Sequence, residues 1–136
     1  MARILLTEDD DGVRMFVQRA LMMDGHEVRT AEDGGDALDV LTDCEGAFDL
    51  LLTDIKMPYM DGIALAKSAA QEYPELTILM MTGFADQRER CDSLNAIVHD
   101  VVSKPFSLAE IRNAVREALS GRAAAGPASI SQVMYG

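Results

Sequence analysis

Arg3-Ile4-Leu5-Leu6-Thr7-Glu8-Asp9-Asp10-Asp11 opens the chain with an apolar run that stops abruptly in four carboxylates, and from Asp11 to Met23 the pattern switches to a helical period. In this second segment Val13, Phe16, Val17, Ala20 and Leu21 recur at three- and four-residue spacing, while Arg14, Gln18 and Arg19 fall on the other side. That is the pattern of a surface helix with one buried face. Asp24-Gly25 closes it, because a glycine just past the last turn tolerates the left-handed conformation that ends helices.

The same alternation continues along the chain. Further strand candidates are Glu27 to Thr30, Leu50 to Thr53, Thr77 to Met81 and Ile97 to Val102, joining Arg3 to Thr7. Between them the spacing predicts helices over Gly34 to Leu41, Gly62 to Tyr73, Asp86 to Leu94 and Leu108 to Leu119. Ser107 stands three residues before Glu110, the arrangement of a capping box. Asp86 to Leu94 is strongly polar with few core anchors, so it is expected to be the least stable helix. The methionine pairs Met22-Met23 and Met80-Met81 are expected to pack in the core. Short apolar runs alternating with amphipathic segments predict an α/β domain with a parallel sheet. The domain is expected to span residues 1–120. Residues 121–136 carry Arg122 as their only charge and are dominated by Ala, Gly and Ser, so they read as a flexible C-terminal tail.

The length of 136 residues and a hydrophobic share of 49% suit one domain with its own core. Cys44 and Cys91 are not needed as a staple and read as reduced thiols. No apolar run approaches the length of a membrane span, and the start lacks the apolar core of a secretory signal, so a cytoplasmic protein with no membrane partner is expected. Twelve Lys and Arg against twenty-three Asp and Glu leave a net charge of -11. Such a surface repels phosphate backbones, and its scattered basic residues form no patch, which argues against direct nucleic-acid binding. A cationic partner, or one bridged by a metal, is easier to accommodate.

In doubly wound sheets ligands sit beyond the carboxyl ends of the strands, where the strand order reverses. The candidate strands end at Glu8 to Asp11, at Asp54, at Thr82-Gly83 and at Ser103-Lys104-Pro105. With a strand order of 2-1-3-4-5 the first and third ends are neighbours and their carboxylates converge. Carboxylates sharing a small cavity need a proton or a cation between them. Mg²⁺, with its oxygen ligands, meets that need. Lys104 supplies an opposite point charge suited to phosphate, and Thr82 offers a hydroxyl. The set suits attack by an Asp carboxylate on a phosphoryl group, with Asp54 as the nucleophile. His26 and His99 lack metal-ligand spacing and are expected in surface or turn roles.

Taken together, Glu8-Asp9, Asp54 with Met57-Pro58 and Asp61-Gly62, Thr82, and Lys104-Pro105-Phe106 resemble the response regulator receiver domains of two-component signalling, over Ala2 to about Ser120. The resemblance implies a flavodoxin-like (βα)5 fold, a doubly wound parallel five-stranded sheet in the order 2-1-3-4-5. It implies that Asp54 is the phospho-acceptor and that Asp9 binds Mg²⁺ directly, Glu8 binds it through water, and the backbone carbonyl of Lys56 completes the protein ligands. Thr82 would move to meet the phosphoryl oxygen and Lys104 would pair with it. The expected upstream partner is a histidine kinase or a histidine phosphotransfer protein. Val101 departs from the pattern, because many receivers carry Tyr or Phe there as a switch. Phe84 is a candidate substitute, and the side chains of Lys56 and Phe84 are expected to tune access of water to the acceptor.

The resemblance implies a non-enzymatic switch whose output is a downstream protein partner. Two forms are open: a phosphorelay intermediate, or an adaptor for an ATP-dependent protease like the CpdR type of alphaproteobacterial receiver. An aspartyl-phosphate phosphatase of the haloacid dehalogenase type is the competing class. It would need a second Asp two residues after the nucleophile, where Lys56 stands. A flavin-binding domain fits less well, since Glu8 to Asp11 would repel the flavin phosphate.

Overall fold

The computed structural model describes residues 1–57, 59–83 and 96–124, with side chains to Ser120. The predicted helix Asp86 to Leu94, Phe84, Cys91, Pro58 and the tail beyond Ala124 lie outside the described residues. The elements run β1 (Arg3–Thr7), α1 (Asp11–Met23), β2 (Glu27–Ala31), α2 (Gly34–Asp43), β3 (Leu50–Asp54), α3 (Gly62–Glu72), β4 (Thr77–Thr82), β5 (Asp100–Ser103) and α4 (Leu108–Ala124).

The five strands form one parallel sheet in the order β2-β1-β3-β4-β5. The apolar runs of β1, β3 and β4 are continuous rather than alternating because both faces are covered, while the edge strands β2 and β5 are partly exposed. Leu5, Leu51, Ile78 and Met80 point to one face and pack with Ala37, Leu41, Ala66 and Ala69 of α2 and α3. Ile4, Leu6, Leu52, Leu79 and Met81 point to the other and pack with Val17, Leu21, Ile111 and Val115 of α1 and α4. Each fully buried Leu or Ile contributes about 1.5–3 kcal/mol, so the sheet is the stiff frame of the domain. The chain returns from edge strand β2 across β1 to β3, and this reversal opens the crevice at the carboxyl ends of β1 and β3.

Local signals set the helix ends. Asp10, Asp33 and Asp61 each accept a backbone N–H at the start of α1, α2 and α3, as N-caps do. Ser107 and Glu110 form the reciprocal capping box, with bonds of 3.0 and 2.8 Å. Gly25 adopts φ 82° just beyond α1, as its position predicted.

Four expectations need correction. The last strand is Asp100–Ser103 rather than Ile97 to Val102. Val98 is buried without belonging to the ladder, because the core selects apolar residues whether or not their backbone pairs. Met22 and Met23 are 57% and 60% exposed: they stand three and four residues beyond the exposed Arg19, on the outward face of α1. Phe16 is also 39% exposed, stacking on Phe106 at 6.4 Å instead of entering the core. Met80 and Met81 are fully buried, as expected. Helix α4 runs to Ala124, past the predicted end at Leu119. Among the described residues no helix is long and apolar enough to cross a membrane.

Candidate functional site

The crevice is built from three strand ends. The amide of Glu8 donates to the carbonyl of Ala31 at 3.1 Å, so this residue is still held by the sheet edge and its side chain is fully buried. One carboxylate oxygen of Glu8, Oε2, accepts the Asp10 amide at 3.2 Å, and the other, Oε1, accepts the Lys104 ammonium at 2.7 Å. Of the remaining acids in the run, Asp10 is used as the cap of α1 and Asp11 pairs with Arg14. Asp9 is exposed at the mouth.

Asp54 closes β3 and is 6% exposed. Its Oδ1 accepts its neighbour's amide, that of Ile55, at 2.8 Å, which orients Oδ2 toward the Lys104 Nζ at 2.9 Å. Lys104 is held in turn by its own amide, which donates to the Thr82 carbonyl at 2.7 Å. One ammonium therefore bridges two buried carboxylates that are 46 residues apart in sequence. Carboxylate oxygens of Glu8, Asp9 and Asp54 all lie within 4.8 Å of one another.

Thr82 is the last residue of β4 and is buried. Asp54 is in register with Met81, so Thr82 stands one residue beyond the acidic strand end on the neighbouring strand. Lys56 is exposed, two residues past Asp54. His26 and His99 lie outside the cluster: the Nδ1 of His26 accepts the Ala2 amide at 3.0 Å, and His99 is exposed.

Burial pushes the Glu8 carboxyl up to about 7; the nearby Asp54 charge adds to this and the Lys104 hydrogen bond opposes it. For Lys104 burial alone would lower the pKa, but hydrogen bonds from its ammonium to Glu8 and Asp54 outweigh it and the net direction is upward. Three carboxylates thus face one ammonium. A hard divalent cation fits this donor set, because it is all oxygen, close-set and in excess of the positive charge present.

Two features of the loop after Asp54 go beyond the expectations drawn from the sequence. A Cβ at Gly62 would lie 2.0 Å from the Asp54 carbonyl oxygen, so α3 starts directly on the backbone of the acidic strand end, and only glycine fits. Tyr59 has φ 69° and is 97% exposed. The signal for Gly62 was available as a glycine at a helix start; a tyrosine in left-handed backbone carries no sequence signal.

Comparison with known proteins agrees with this geometry. The family model described as response regulator receiver domain matches residues 4–116. The response regulator receiver protein CpdR of Brucella abortus is 43% identical over 119 residues, covering 88% of this chain and 98% of that protein. Among solved structures, a CheY-like response regulator receiver domain protein from Methanospirillum hungatei gives a TM-score of 0.83 at 29% identity, covering 93% of this chain and 99% of that one. The response regulator TrrA of Thermotoga maritima, in complex with Mg²⁺ and BeF, gives 0.77 at 28% identity, covering 87% and 99%.

Proposed function

This chain belongs to the response regulator receiver family, and from that premise we propose that it is a phospho-accepting switch, with Asp54 the acceptor of a phosphoryl group from a histidine kinase or histidine phosphotransfer protein. The observation that carries the reading is the bridge from Lys104 Nζ to Asp54 Oδ2 at 2.9 Å and to Glu8 Oε1 at 2.7 Å. It leaves a carboxylate oxygen beside an ammonium at a strand end, with surplus negative charge alongside.

In the reaction the Asp54 carboxylate forms a new P–O bond while the P–N bond of the donor opens, and its electron pair returns to the imidazole. Asp54 Oδ1 is steadied by the Ile55 amide, so Oδ2 is the attacking atom. Lys104 leaves Oδ2 to pair with a phosphoryl oxygen, and the Thr82 hydroxyl donates to another. Asp9 and Asp54 would hold Mg²⁺ directly, with Glu8 through water and the Lys56 carbonyl completing the protein ligands. Bound there, the ion would offset negative charge on the phosphoryl oxygens. The receiver domain is assigned to residues 1–120, with the last turn of α4 continuing to Ala124. The protein acts in the cytoplasm, not as an enzyme but by changing which protein it binds.

A second reading, as an adaptor for an ATP-dependent protease, is favoured by the near-complete coverage of CpdR; a phosphorelay intermediate is the other form of the same switch. A phosphatase fits poorly because an exposed lysine, Lys56, occupies the position its general acid would need.

Incubation with Mg²⁺ and a small phosphodonor should yield a labile adduct on wild type and none on Asp54→Asn. Equal labelling of the two proteins would overturn the assignment. Pull-downs with beryllofluoride-treated and untreated protein then identify the state that binds the protease, and equal capture of both, and of Asp54→Asn, would remove the adaptor reading.

A further inference from the structure

Tyr59 combines two unfavourable features at one position. Its ring is 97% exposed, and its φ of 69° lies in the left-handed region that residues with a Cβ avoid and bulky ones avoid most. Glycine or asparagine would meet the same turn without that strain. Backbone outliers of this kind persist where the surroundings over-determine them, and they cluster at functional sites.

Position gives the ring a task. Tyr59 lies five residues after Asp54, on the loop that leaves the acidic crevice for α3. The next residue, Met60, is pressed against the first turn of α2: a Cβ at Gly34 would lie 2.7 Å from the Met60 carbonyl oxygen. The Tyr59 loop is therefore flanked by the start of α2, with Glu32 and Asp36 exposed, and by Asp61 at the start of α3. Lys56 is the single cation between Asp54 and Gly62.

Resting on the receiver reading above, we infer that Tyr59 is a specificity-determining contact for the phosphoryl donor, its ring receiving a cationic side chain that flanks the donor histidine. The face of an aromatic ring attracts a guanidinium or ammonium. Exposed aromatics are the residues that anchor interfaces. A chain of net charge -11, with carboxylates around this loop, draws a cationic segment and repels an acidic one. The chemistry at Asp54 is unchanged by this contact: the P–O bond forms, the P–N bond breaks and the electron pair stays with the donor's imidazole. Tyr59 acts on which donor is held there.

The test uses the full chain with Mg²⁺ and three probes. Two are synthetic phosphohistidine peptides that differ only in carrying Arg or Glu beside the phosphohistidine; the third is acetyl phosphate, which has no flanking residue. Wild type should be labelled faster by the Arg peptide than by the Glu peptide. Tyr59→Leu should lower the rate with the Arg peptide by about 2- to 5-fold, and Tyr59→Phe should retain it. Acetyl phosphate should label all three proteins alike, which separates partner reading from damage to the site. Retention of the full Arg preference by Tyr59→Leu would overturn the inference, as would equal slowing with acetyl phosphate. Absence of labelling by any donor would instead sink the receiver reading, and this inference with it.

Discussion

The two ends of the sheet treat charge in opposite ways. At the amino end of the strands the buried and half-buried charges meet a match: the Arg3 guanidinium bonds Glu27 at 2.7 Å and lies over the Phe48 ring, Asp49 accepts the Arg3 amide at 2.9 Å, and Asp24 is gripped by Arg112 with Arg116 at 3.5 Å. At the carboxyl end Glu8, Asp9 and Asp54 crowd within 4.8 Å around one lysine. The Arg112 hydrogen bond holds the Asp24 carboxyl below the usual carboxylate range, whereas burial drives Glu8 far above it. One end is arranged for stability. The other holds an excess of negative charge of the kind a divalent cation would offset.

This contrast implies opposite pH dependence at the two ends, and the first prediction attacks the larger side. The Glu8 value of about 7 lies above its ordinary 4.5. Its contribution to stability is therefore fully present below about pH 4.5 and is lost as the pH rises through 7. In metal-free buffer Glu8→Gln should flatten that decline, removing roughly 2–3 kcal/mol of pH-dependent loss. Urea midpoints collected from pH 4.5 to 8 measure it, and an unchanged slope would show that the carboxyl end does not carry the imbalance.

Asp9→Asn relieves the same crowding from its exposed side. It should stabilise the metal-free protein by about 1 kcal/mol. Added Mg²⁺ should reverse the order of the two proteins, because only the wild type keeps the full set of oxygens and gains stability by binding. Denaturation with and without the metal reads both effects; a destabilised Asp9→Asn in metal-free buffer would contradict the comparison.

The smallest effect is at the other end. Arg112→Ala should lower the thermal midpoint at neutral pH. Because the Asp24 value is depressed in the fold, the stability it contributes is present above its unfolded value, about 3.9, and is lost as the pH falls through the folded one. The gap between variant and wild type should close in acid, and a gap that persists there would mean that Arg112 acts by packing.

Much of this was legible before any coordinates. The strand–helix alternation gave the layers, and the acidic and basic strand ends placed Glu8, Asp54 and Lys104 around one crevice. What stayed hidden depends on neighbours rather than on local pattern. Met22 and Met23 follow the outward face of α1 marked by Arg19, whereas the period alone could not tell that Phe16, at the edge of the buried stripe, packs on Phe106 instead of entering the core. Val98 is apolar because it is buried, and the hydrophobic pattern alone cannot tell that from a ladder position. The Asp N-caps had a readable signal, an acid just before each helix. Tyr59 had none, since its backbone runs against its own preference.

Gly62 has a mechanical consequence. Its missing side chain lets α3 rest on the peptide that carries Asp54, and its amide is tied to the Ile55 carbonyl at 2.7 Å, so the foot of the helix and the acidic strand end form a single joint without slack. The 11 residues of α3 make a lever about 16 Å long. A tilt of about 5° at the joint carries the far end, near Glu72, through roughly 1.4 Å, given a rise of 1.5 Å per residue.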